Sequence, residues 1–145
     1  MSDADQNFTA AEREAMKARA SEVRAARSKA AKKTPEEAAQ EVLDKIAEMT
    51  DADRELAEKI HAMVTSAAPH LEVSTYYGMP AYKKNGKVIC FFKPAAKFKD
   101  RYATFGFETM AQLDDGNVWA TGFSIRKLDD ADLEFLAGLV TRAAS

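Results

Sequence analysis

Four carboxylates, Glu37, Glu41, Asp44 and Glu48, stand four, three and four residues apart, a spacing that places them on one side of an α-helix. Like charges at that spacing cost a helix about 0.2–0.5 kcal/mol per pair, so the row does not serve the helix itself. Glu37 is partly excused by lying near the positive helix start. Carboxylate oxygens suit hard cations and ferrous iron, with weak selectivity. A convex helix face offers no cage, so an ion held there would exchange readily. The ordinary reading of such a row is a solvated face. Asp51, Glu55 and Glu58 extend the acidity beyond it.

Other reactive residue types are sparse. His61 and His70 have no partner at metal-ligand spacing, and the single cysteine, Cys90, sits within the apolar run Val88–Phe92, which argues against a tetrahedral zinc site. Both histidines read as structural or exposed, and Cys90 as a buried thiol that suits a reducing compartment. Tyr76, Tyr77, Tyr82 and Trp119 could line a small-molecule groove, although aromatic residues in strands are more often core. Gly78 and Pro80 read as a bend or a sheet edge. Lys83, Lys84 and Lys87, together with Lys93, Lys97, Lys99 and Arg101, could form a modest anion-attracting rim. No phosphate-binding glycine loop and no nucleophile elbow is present, so the chain reads as non-enzymatic.

The elements that position these residues follow from caps and periodicity. Residues 1–33 hold 8 Lys/Arg against 5 Asp/Glu, whereas residues 34–145 hold 13 against 18, dividing the chain into a basic Ala-rich arm and an acidic domain. The arm's helix starts at Thr9, which has capping-box spacing to Glu12. Its apolar face, Met16, Ala20, Val23 and Ala30, is interrupted by Arg27, which predicts an exposed or loosely docked arm. Ser28–Lys33 would suit nucleic-acid phosphates. The absence of a stacking aromatic after Phe8, and the diluting Glu12, Glu14 and Glu22, favour a protein-docking or solvated arm over nucleic acid.

In the domain, Thr34-Pro35-Glu36-Glu37 is a helix start, followed by the stripe Val42, Leu43, Ile46 and Met49. Thr50 and Asp53 open the next helix, with Leu56, Ile60, Met63, Val64 and Ala67 facing inward and Pro69 ending it. Strands are expected over 71–77, 88–92, 102–107 and 118–125, with tight turns at Asn85-Gly86 and at 114–117. Asp129 and Asp132 cap a last helix that turns Leu133, Leu136, Ala137 and Val140 inward. The order predicts an α+β domain: an antiparallel sheet of four or five strands with N- and C-terminal helices packed on it. Val88–Phe92 has no polar alternation, so it should be covered on both faces, one by the helices and the other by the arm or a second subunit. With 145 residues and a net charge of −2, the chain needs no staple and no oppositely charged partner. The N-terminus reads as no signal peptide, and no apolar run is long enough to span a bilayer. The expected location is therefore the cytoplasm.

The stretch Tyr76–Phe92, YYGMPAYKKNGKVICFF, resembles the signature of the YdhG-like family of bacterial domains of unknown function. Tyr77, Gly78, Met79, Pro80, Ala81 and Tyr82 match in order, Tyr76 precedes them, and the resemblance covers roughly residues 36–143. It departs at Asp130-Ala131, where family members often carry proline. The resemblance implies a frataxin-like sandwich and, for some relatives, an iron chaperone that delivers ferrous iron to iron-accepting proteins for iron–sulfur cluster or haem assembly. It supplies no fixed ligand set. Glu37, Glu41, Asp44 and Glu48 are the candidate carboxylates for such labile iron. The alternative is an interaction or dimerisation module that uses the arm or the apolar sheet face.

Overall fold

A computed structural model describes residues 8–27 and 33–145. The phosphate-suited stretch expected at Ser28–Lys33 lies outside them apart from Lys33, as does Ala30 of the arm's apolar face. The elements run α1 (Ala10–Arg27), α2 (Pro35–Ala47), α3 (Asp51–Ala67), β1 (Glu72–Tyr76), β2 (Met79–Lys84), β3 (Lys87–Lys93), β4 (Ala103–Phe107), β5 (Gly122–Ile125) and α4 (Asp130–Ala143). The architecture is α+β, and the five strands form one antiparallel meander in the order β1-β2-β3-β4-β5. No helix among the described residues is long and apolar enough to cross a membrane.

The helix starts are local chemistry. Thr34 accepts the N–H of Glu37, Thr50 that of Asp53, and Asp129 that of Asp132, whose carboxylate returns the bond to the Asp129 N–H. These caps satisfy N–H groups that the first turn leaves free. Alternation then sorts the sheet into two faces. Tyr82, Cys90, Phe92, Phe105, Phe107 and Ile125 pack with Val42 and Ile46 of α2, Ile60 and Val64 of α3, and Leu136 and Val140 of α4 in one core. A register shift between Tyr82 and Lys83 pairs them with Cys90 and Val88. The extra residue, Ile89, is thereby re-aimed and joins the core.

The opposite face carries the cross-strand row Ser74, Ala81, Phe91, Gly106 and Gly122. Gly106 is required there: a Cβ would lie 2.5 Å from Phe91 Cζ, because the ring rests on the glycine backbone. Helix α1 crosses this face at its Tyr77–Met79 end, burying Ala15 and placing the Ala18 methyl 3.5 Å from a notional Cβ on Gly78.

Three sequence expectations are corrected. Leu43, expected in the core stripe of α2, is 45% exposed, because Val42 and Ile46 face inward and their immediate neighbour is turned about 100° away. The last strand begins at Gly122 rather than Val118. Val118 is 87% exposed, Trp119 also stands out of the core, and Thr121 closes the ladder by accepting the N–H of Phe107. The bend or sheet edge read at Gly78 and Pro80 is a second hairpin: Tyr77 and Gly78, at φ 54° and 76°, make a two-residue turn between β1 and β2. Pro80 is therefore on an inner strand. It pairs with Thr75 of β1 and lies outside the β2–β3 register.

Candidate functional site

The turn Tyr77-Gly78 is held by the arm. Both N–H groups donate to one carboxylate, Tyr77 to Glu22 Oε2 and Gly78 to Glu22 Oε1, each at 3.1 Å. Two adjacent backbone N–H groups aimed at one site form an anion-binding nest, and the arm fills it. Arg19, one turn before Glu22, holds that carboxylate at 3.6 Å and lies 5.0 Å above the Tyr76 ring and 5.9 Å from that of Tyr77. The two tyrosine rings meet edge-on at 4.7 Å, and Tyr76 also faces Phe91 at 5.9 Å. Burial first, then the Glu108 carboxylate, push the Tyr76 hydroxyl above its ordinary pKa, and Arg19 partly offsets them. Salt-bridged, stacked and hydrogen-bonded at once, the arm is docked through its charged residues, where the sequence predicts a loose helix with a thin apolar face.

Beside the turn lies an open groove of about 670 Å³ between α1, the end of α2, the start of α3 and the segment after β3. Lys17 and Glu14 enter from α1, Lys45 from α2, and Lys97 from the segment after β3. Asp53 is buried at its edge and accepts the N–H groups of Ala95 at 3.2 Å and Ala96 at 2.9 Å, tying that segment to α3. A smaller apolar hollow of about 270 Å³ lies between Phe8 and Met16 of the arm segment and Tyr77, Met79 and Phe98.

The acidic row lies on α2 and its C-cap, Glu48, with every member engaged nearby. Glu37 accepts from the Thr34 hydroxyl and Asp44 from Gln40. Glu41 pairs with Lys33, and Glu48 stands 4.0 Å from Lys45. Among the described residues, no group of three or more His, Cys, Asp or Glu side chains is arranged to hold a metal ion. The row does not converge, because spacing along a convex helix separates side chains rather than gathering them.

Of the motif aromatics, Tyr82 is core rather than groove. Its hydroxyl shares a 2.9 Å hydrogen bond with His61 Nδ1, and burial raises its pKa far above the ordinary value. Burial also lowers the His61 pKa. His70 Nε2 lies 3.0 Å from the Ala144 carbonyl. Cys90 is fully buried, and its thiol is pushed up to about 12. The expected lysine rim divides. Lys84 donates to the Ala144 carbonyl, Lys93 pairs with Asp100 at 3.0 Å, and Lys87 and Lys93 sit at opposite ends of β3, about 20 Å apart.

Sequence reasoning missed Glu22 and Asp53 as anchors. Glu22 reads as dilution of a basic helix, and Asp53 as a capping residue. The one available signal was an acid two to three residues from positions already assigned structural roles, with nothing to name its distant target. No protein-family model, curated protein or solved structure matches this chain.

Proposed function

We propose that this protein is a non-enzymatic interaction module of the YdhG-like type. Its working part is the Tyr76–Tyr82 hairpin, which captures a helix bearing arginine and glutamate one turn apart. The observation that carries this reading is the paired donation of the Tyr77 and Gly78 N–H groups to Glu22. In the single chain the arm is the occupant. A second copy's arm carries the same residues, so exchange of arms between two copies gives a dimer without new chemistry. Helices α2, α3 and α4 on one face of a five-stranded antiparallel sheet support a frataxin-like layering, and a single buried thiol suits the cytoplasm. A peptide of residues 8–27 added to a chain lacking residues 1–33 tests the reading. Saturable binding that is lost when the peptide carries Glu22→Gln supports it, and no binding removes it.

The second reading is iron handling, which the resemblance implies. Glu37, Asp44 and Glu48 are exposed and Glu41 is half-buried, so a ferrous ion would reach all four carboxylates from solvent. Such binding would be labile, as a chaperone that surrenders its cargo to an iron-accepting protein requires.

A further inference from the structure

The groove beside Gly78 holds an imbalance of hydrogen-bonding capacity. Its buried acid, Asp53, is consumed by the N–H groups of Ala95 and Ala96, and the neighbouring Glu22 by those of Tyr77 and Gly78 and by Arg19. The ammonium groups are less fully engaged, and Lys97 Nζ lies 5.5 Å from the Phe98 ring centroid. Among the described residues no carboxylate lies within 4.0 Å of Lys17 or Lys97, and Lys45 reaches only Glu48, at that limit. Glu14 is the one acid of the groove lining with no partner of its own. Lys97 rests against the turn itself, its Nζ 2.8 Å from where a Cβ on residue 78 would stand, so glycine at this position admits the ammonium. Burial, and next the Lys45 ammonium, hold Lys97 below the ordinary lysine value, with Glu14, Glu48 and Glu22 opposing. The groove's volume of about 670 Å³ lies within the usual range of small-molecule sites.

We propose that this groove binds a small multivalent oxyanion, whose carboxylate or phosphate oxygens accept from the ammonium groups of Lys17, Lys45 and Lys97 beside Gly78. Charge-assisted bonds of this kind are the strong ones. Because the site includes α1, bound anion also fastens the arm. The site rests in part on the docked arm, which brings Lys17, whereas Lys45 and Lys97 belong to the domain.

Calorimetric titration of the full chain with citrate and, separately, pyrophosphate tests the proposal, with Lys97→Gln and Lys45→Gln beside the control Lys87→Gln and circular dichroism to confirm each fold. Saturable binding of either probe, weakened about tenfold or more by each groove variant and unchanged by the control, supports it. The probe that binds identifies the oxyanion as carboxylate or phosphate. Absence of saturable binding by both probes, or binding that the control weakens as much as the groove variants do, overturns it.

Discussion

Glu22 Oε1 accepts the backbone N–H of Gly78 at 3.1 Å across 56 residues of chain. Through this bond helix α1, which buries one residue, Ala15, is fixed to the end of a sheet. Its apolar burial is small, so charge-assisted hydrogen bonds, each about 1.5–3 kcal/mol net when well shielded, outweigh packing in deciding where the arm sits. Glu22→Gln keeps the shape and removes the charge that Arg19 and both amides share. The expected outcome is faster hydrogen exchange at the Tyr77 and Gly78 amides, with exchange in β3 and β4 unchanged. Unchanged exchange at residues 77 and 78 would show that the arm is held by something else.

Asp53 does for the segment after β3 what Glu22 does for the arm. Its two carboxylate oxygens each accept one N–H at a position that is 4% exposed. Asp53→Asn retains one acceptor and turns a donor toward the second amide. A cost of about 2 kcal/mol is expected, which lowers the melting temperature by about 4–8 °C in a domain of this size. A calorimetric scan reads it directly.

Caps were legible because they are local. Thr34 with Glu37 and Asp129 with Asp132 act across three residues, so spacing alone specifies the bond. The inward faces of α3 and α4 were legible for the same reason, being periodic. Leu43 and Trp119 were not: hydrophobicity marks a residue as able to be buried, and neighbouring elements decide whether it is. The Tyr77-Gly78 turn escaped because an aromatic at positive φ is uncommon. Its conformation is supported by Arg19 and Glu22, residues more than fifty positions away. The candidate site is thus written mainly in pairings between the arm and the domain, which no local pattern reports.

Gly106 and Phe91 form a matched pair on the far face of the sheet. A Cβ on residue 106 would stand 2.5, 2.9 and 3.1 Å from three atoms of the Phe91 ring, so Gly106→Ala must push the ring off the sheet. A cost of about 1–3 kcal/mol is expected. In the Phe91→Ala background the same substitution should be nearly free, because the obstacle is gone. A double-mutant cycle on urea midpoints isolates the coupling, and additive costs would assign the glycine to backbone conformation instead.

His61 gives stability a pH dependence of known sign. Burial lowers its folded pKa below the ordinary value, so between the two values the unfolded chain binds more protons, and stability rises with pH. Stability is therefore lost as pH falls through the ordinary histidine range, near 6.5, and the loss levels off below the folded value. His61→Gln removes this contribution. Urea midpoints compared at pH 7.5 and 5.5 should fall less in the variant than in the parent, and equal falls would place the sensitivity elsewhere.

The acidic row of α2 sets the final test. Glu41 and Asp44 already have Lys33 and Gln40 as neighbours, so an ion must displace those contacts, and a convex face supplies no more than a few oxygens at once. Binding should therefore be weak and should discriminate poorly among divalent ions. Anaerobic calorimetry with ferrous iron, controlled by magnesium, measures both properties. If the row carries iron, saturable ferrous heat beyond magnesium's is expected to weaken several-fold when Glu41→Gln and Asp44→Asn are combined. Ferrous heat equal to magnesium's, or binding untouched by the double variant, reduces the row to solvated acids. The arm and its hairpin would then remain the part of the molecule on which function turns.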